Sequence, residues 1–166
     1  AALSSDLDGG EYNVAIGNYS LEANTSGDYN VALGQAAGAS NTTGGNNTFV
    51  GLGAGRTSTT GSSNTFIGME AATDNTTGTN NTFVGHRAGY SNTTASSNTF
   101  LGTYAGNSNT TGSPNNAIGY KALYHNTTGT NNTANGYGSL YYNTTGSSNT
   151  IVGSYAGFAN TTASNN

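Results

Sequence analysis

Along the chain, apolar and β-branched residues come in short runs, one run in every 17 residues. Typical runs are Val14-Ala15-Ile16, Thr48-Phe49-Val50 and Thr82-Phe83-Val84, each preceded by Asn and closed by Gly. The closing glycines, Gly17, Gly34, Gly51, Gly68, Gly85, Gly102, Gly119, Gly136 and Gly153, are 17 residues apart with no insertion. A β-branched or aromatic triplet bounded by Asn and Gly predicts a short strand followed by a turn. Seventeen residues are too few for a helical hairpin, and Gly, Asn and Thr are poor helix formers. The spacing therefore predicts an all-β fold, a parallel β-solenoid or β-roll in which each unit is one coil. Coils hydrogen-bonded at about 4.8 Å would make ten of them a rod about 45–50 Å long. Residues 12–164 hold nine full units, residues 165–166 begin a tenth, and residues 1–11 read as a degenerate N-terminal coil or cap.

Numbering each unit from Tyr12, Tyr29, Asn46 and so on, position 2 is Asn in every unit, position 6 Gly, position 9 Ala or Ser, and position 14 Thr. Position 13 is Asn in eight units and Ser58 in the other. In stacked coils the Asn columns are expected at turns, either as amide ladders along the axis or simply as turn formers. Position 4 exchanges volume with position 10. Phe49, Phe66, Phe83 and Phe100 accompany Gly55, Ala72, Gly89 and Gly106, whereas Ala15, Ala117 and Ala134 accompany Leu21, Leu123 and Leu140. Only Ala32 with Gly38 is small at both. Such exchange places both positions in one interior, where voids and excess volume are both penalised.

Alternation along a strand then turns positions 3 and 5 outward. Yet position 5 reads Ile16, Leu33, Val50, Ile67, Val84, Leu101, Ile118, Asn135 and Val152. An aliphatic stripe of that length calls for a partner surface, and a cyclic assembly of copies around the long axis would cover it. The opposite assignment, with the Phe column outside, leads to the same expectation. Asn135 interrupts the stripe, as a site for a trapped water or ion or as a locally loosened coil.

Composition changes the picture in one respect. Gly, Asn, Thr and Ser supply 98 of 166 residues, while Leu, Ile, Val and Phe supply 22, about 13% against the roughly 20% below which chains are usually disordered. A core this sparse must rest on regularity. Charge removes several functions: only three Lys and Arg are present, and five of the seven Asp and Glu lie within residues 1–28. Without a basic patch, binding to nucleic acid or anionic lipid is not expected. The absence of Cys removes disulfides, zinc-thiolate sites and thiol nucleophiles. No apolar run approaches the length of a membrane span, so no membrane insertion is expected of this fragment. Because it begins at Ala1 and not Met, it is expected to be a processed or excised piece.

The strand motifs Asn13-Val14-Ala15-Ile16-Gly17 and Asn30-Val31-Ala32-Leu33-Gly34, with Asn116-Ala117-Ile118-Gly119 a shorter echo, resemble the repeats of trimeric autotransporter adhesin heads. The Asn-Thr-Thr-Gly stretches, as at Asn126-Thr127-Thr128-Gly129, resemble head-like repeats of bacterial surface proteins and phage tail fibres. The resemblance spans nearly all of residues 12–166. It implies a left-handed parallel roll with three chains about one axis, acting outside the cell as an adhesin head or fibre shaft. Any anchor or tip is then expected outside this piece. The coil is longer than the usual adhesin-head repeat, and Phe at position 4 implies a wider interior.

No catalytic constellation emerges, and neither enzyme activity nor a cofactor or metal is expected. His86 and His125 lie in different columns, and the four Asp are too few for aspartate-rich calcium repeats. Position 8 stacks Glu70, Arg87, Tyr104 and Lys121, predicting an ion pair and cation–π contacts along one edge. Position 11 stacks Tyr124, Tyr141 and Phe158, and position 7 stacks Tyr120 and Tyr137. This strip is either cross-coil packing or a grip for a host protein or a glycan. Asn-x-Ser/Thr sequons recur at position 13 and elsewhere, and they matter only where they face water. The leading expectation is a self-associating extracellular rod for surface attachment. Alternatives are a self-assembling filament growing from an uncovered parallel edge and ice binding through Thr rows. Ice binding is weakened because Thr positions 14 and 15, being adjacent, point to opposite sides.

Overall fold

The computed structural model describes residues 10–166. Most of the expected N-terminal coil or cap, residues 1–9, lies outside the described residues. One short strand forms in each coil: β1 (Val14–Ile16), β2 (Val31–Leu33), β3 (Thr48–Val50), β4 (Thr65–Ile67), β5 (Thr82–Val84), β6 (Thr99–Leu101), β7 (Asn115–Ile118), β8 (Asn132–Asn135) and β9 (Thr150–Val152). They form a single parallel sheet in chain order, β1 to β9. Each strand pairs with the next in strict 17-residue register, as in Phe49 with Phe66 and Val50 with Ile67. The described chain is therefore an all-β parallel solenoid without helix.

Beyond the strand each coil turns twice. The position 9 N–H donates to the position 6 carbonyl, as from Ala37 to Gly34, and the position 13 N–H to the position 10 carbonyl, as from Asn41 to Gly38. Between these turns the coils stay bonded to one another. Gly53 N–H donates back to Gln35, whereas Gly55 and Thr57 donate forward to Ala71 and Thr73. This reversal of direction coincides with left-handed φ at positions 8 and 10, for example Arg87 at +53° and Leu123 at +51°.

Positions 4, 9 and 10 fill the interior, as alternation on the strand requires. Phe49, Phe66, Phe83 and Phe100 are fully buried and stack coil on coil, with centroids 5.7, 5.4 and 4.7 Å apart. Leu21, Leu123 and Leu140 are buried in the coils whose position 4 is Ala. The apparent void at Ala32 and Gly38 is filled from above and below: a Cβ on Gly38 would lie 2.5 Å from the Phe49 ring and 3.0 Å from Leu21. Volume is thus balanced over neighbouring coils as well as within one. Position 9 backs this layer with buried Ala, or with Ser whose hydroxyl is satisfied by a carbonyl, as from Ser20 to Ala32 and from Ser139 to Gly136.

The other half of the interior is amide. Each position 2 Asn donates from Nδ2 to the position 16 carbonyl of its own coil, as from Asn64 to Gly78, and accepts at Oδ1 the N–H of the next position 2 Asn, as from Asn81. This side chain closes its coil and fastens it to the next. Position 13 forms the true amide ladder, Nδ2 to Oδ1, through Asn92, Asn109, Asn126 and Asn143. Each of these amides also reaches the same position 16 carbonyl, which thereby accepts twice, as Gly112 does from Asn98 and Asn109. With donors and acceptors matched, polar side chains occupy the core without the desolvation cost of unpaired groups.

Ser58 breaks the ladder. Its hydroxyl accepts from Asn75 but leaves Asn41 Oδ1 buried without a partner. An orphaned buried acceptor costs about 1–3 kcal/mol. The Ser58→Asn variant is expected to gain about 1 kcal/mol in urea unfolding by restoring that donor. An unchanged midpoint would show that Asn41 carries no such penalty.

Candidate functional site

Two surfaces stand out, an outward strand face and an aromatic edge. The strand face carries positions 3 and 5. Because position 4 points inward, Ile16, Leu33, Ile67, Leu101 and Val152 are exposed, and Val50, Val84 and Ile118 are half-buried. Ile16 is 60% and Val152 69% exposed. Position 3 adds Val14 and Val31 in the first coils, then Thr48, Thr65, Thr82 and Thr99. Phe49, Phe66, Phe83 and Phe100 lie wholly inside the coil, where the volume exchange places them, and contribute nothing to this surface. Asn135 is exposed in register between Ile118 and Val152. Beside it runs a polar notch of about 310 Å³ lined by Pro114, Asn116, Asn131 and Thr133.

The aromatic edge forms where positions 7, 8, 11 and 12 meet around the corner of the last coils. Tyr124 stacks on Tyr141 at 5.2 Å and Tyr141 on Phe158 at 5.1 Å, while Tyr120 stacks on Tyr137 at 5.0 Å. Tyr104 meets Tyr120 and Tyr124 edge-on. Lys121 lies among them, its Nζ 5.3 Å from the Tyr120 centroid, 5.4 Å from Tyr124 and 5.9 Å from Tyr104. A hydrogen bond with the Tyr120 phenol, which outweighs partial desolvation, holds the Lys121 ammonium above its ordinary range. A hydrogen bond to Tyr137 raises the Tyr155 phenol. Tyr120, Tyr137, Tyr141, Tyr142, Tyr155 and Phe158 border, with Lys121, a cleft of about 200 Å³ beside Gly138.

Stacking within a column was legible from the 17-residue period. Contacts across columns, which bring in Tyr142 and Tyr155, leave no trace in that period. Tyr142 packs on Phe158 and His125, and Tyr155 on Tyr137, through a corner whose geometry depends on left-handed φ. Adjacent aromatics such as Tyr141-Tyr142, placed on both sides of one corner, were the available signal. The position 8 ion pair joins Glu70 and Arg87, and Arg87 covers Tyr90, not Tyr104.

Other candidate chemistry is absorbed by the coil. Position 14 hydroxyls donate to the next coil's carbonyl, as from Thr76 to Thr93, so they are not a free Thr row. The sequon asparagines Asn24, Asn41, Asn75, Asn92, Asn109, Asn126 and Asn143 are fully buried and bonded in the amide layer; those facing solvent include Asn46, Asn80 and Asn131. Among the described residues no three His, Asp or Glu lie close enough to hold a metal ion, and no helix is long and apolar enough to cross a membrane.

The fold and the repeat define a parallel β-solenoid repeat protein with an apolar strand face. Compared with known proteins, the chain matches no family model, no curated protein and no solved structure.

Proposed function

We propose that the protein is a non-enzymatic, extracellular attachment rod, an adhesin head or fibre shaft, built as a left-handed roll in a parallel trimer. The supporting observation is the outward-facing aliphatic column of position 5, exposed or half-buried from Ile16 to Val152 over nine strands with one interruption, Asn135. A stripe that long on a monomer is an interaction surface, and a cyclic arrangement buries one such face from every chain without leaving a free copy. Sequence resemblance to adhesin-head repeats supplies the number three. Light scattering is expected to give three times the 16.6 kDa chain mass. Ile67→Glu with Leu101→Glu is expected to give a folded monomer, because both side chains are solvent-facing in the single chain. A monomer from the unaltered protein sinks the assembly.

A second reading, ice binding, is favoured by one observation. Thr48, Thr65, Thr82 and Thr99 project from the same sheet face as the aliphatic column, in strand register. That is a regular hydroxyl and methyl array, different from the Thr rows at positions 14 and 15. Thermal hysteresis in the folded protein supports this reading, and its absence removes it.

A further inference from the structure

We propose that the aromatic corner binds an acidic saccharide, with the sugar ring against tyrosine faces and its carboxylate on Lys121. The inference rests on the attachment reading and says what the rod attaches to. In column 8 the side chains Tyr104, Lys121 and Tyr155 are large, and over the small Gly138 between the last two the Tyr155 ring leans in, 3.0 Å from where a Cβ would stand, to form one wall. The resulting cleft of about 200 Å³ is bordered by Tyr120, Tyr137, Tyr141 and Tyr155. It is smaller than the roughly 300–1,000 Å³ of sites for drug-sized ligands, a size suited to one ring. Tyrosine offers an apolar face and a polar tip. A pyranose has the same division, with C–H faces and a hydroxyl rim.

Charge narrows the ligand further. From Asn75 to Asn166 the chain has no Asp or Glu, and Arg87 and Lys121 are its only Lys or Arg. Arg87 is paired with Glu70, the one ion pair among the described residues, so Lys121 has no carboxylate partner there. A cation ringed by tyrosines and remote from acidic side chains selects an anion and repels a cationic ligand. One Lys is too few for a polynucleotide, whose binding depends on several phosphate contacts.

The test is titration of the whole chain with trigalacturonic acid and, as the neutral probe, maltotriose. The protein contains no Trp, so its fluorescence reports tyrosine directly. Saturable binding of trigalacturonic acid is expected, weakened by salt and at least about tenfold weaker in Lys121→Gln and in Tyr137→Ala, the loss of one charge-assisted contact or one stacking face. Maltotriose is expected to bind at least about tenfold more weakly. No saturable binding of trigalacturonic acid, equal binding of both sugars, or unchanged binding by Lys121→Gln overturns the proposal. Light scattering on the same samples separates the two readings. A trimer that ignores the acidic sugar overturns the saccharide site alone, and a monomer that binds it overturns the assembly alone.

Discussion

Replacing Gly85 by Ala is expected to destabilise the protein by about 3 kcal/mol or more, the upper end for a strained backbone position combined with a steric clash. Gly85 has φ of +139°, and a Cβ there would lie 2.6 Å from the carbonyl carbon and oxygen of Gly102 and 2.9 Å from Thr103 N. All three atoms are backbone, in the next coil of a hydrogen-bonded stack, so none can swing aside as a side chain would. The same conformation recurs at position 6 of every coil, from Gly17 at +137° to Gly153 at +130°.

Close approach alone does not demand glycine. A Cβ on Gly78 would lie 2.4 Å from the Ala95 carbonyl oxygen, yet Ala95 and Ala163 occupy that same column. Position 16 lacks the left-handed φ, and there the chain accommodates a methyl group. Gly78→Ala is therefore the control, with an expected loss below about 1.5 kcal/mol, within the ordinary range for a single substitution. Urea unfolding of both variants checks the contrast. Equal losses would show that crowding, and not backbone conformation, governs position 6.

The period, the parallel stacking and the inward direction of position 4 were legible because each leaves a periodic trace in side-chain type. Gly at position 6 announces a special φ, and the Phe and Leu exchange announces a shared volume. Position 9 was visible only as a preference for Ala or Ser, since a small residue fits a tight turn as well as an interior wall. The division of labour between the two Asn columns was not legible. An invariant Asn at position 2 and a nearly invariant one at position 13 look alike in sequence, but the first accepts backbone N–H groups in every coil and bonds other amides only from Asn115 onward, whereas the second bonds other amides through the stack. That distinction depends on where each side chain stands relative to the position 16 carbonyl, which both reach. The aromatic cleft was half legible. Tyr124 over Tyr141 follows from the period, but the meeting of Tyr137 with Tyr155 follows from the corner, where Tyr155 and Lys121 take positive φ without being glycine.

The volume exchange makes the second large prediction, and it is a statement about coupling. Phe100→Ala alone is expected to cost about 3–5 kcal/mol, through lost burial and the cavity left beside Phe83. Gly106→Leu alone is expected to cost about 1–3 kcal/mol or more by overpacking, because a Cβ at Gly106 would fall 2.4 Å from two Phe100 ring atoms and 2.6 Å from a third. The three nearest atoms all belong to Phe100, so removing that ring removes this conflict. The backbone at this position already suits leucine: Gly106 has φ of +58°, beside +51° at Leu123 and +50° at Leu140 in the same column. A leucine at 106 would continue the buried Leu123 and Leu140 column by one coil. The double variant is therefore expected to lie within about 1 kcal/mol of the unaltered protein, the remainder being the lost stacking of Phe100 on Phe83. That corresponds to a coupling of at least about 2 kcal/mol between the two sites. Denaturant unfolding of the four proteins measures it. If the two losses simply add, positions 4 and 10 do not exchange volume, and the alternation of Phe and Leu coils along the rod needs another cause.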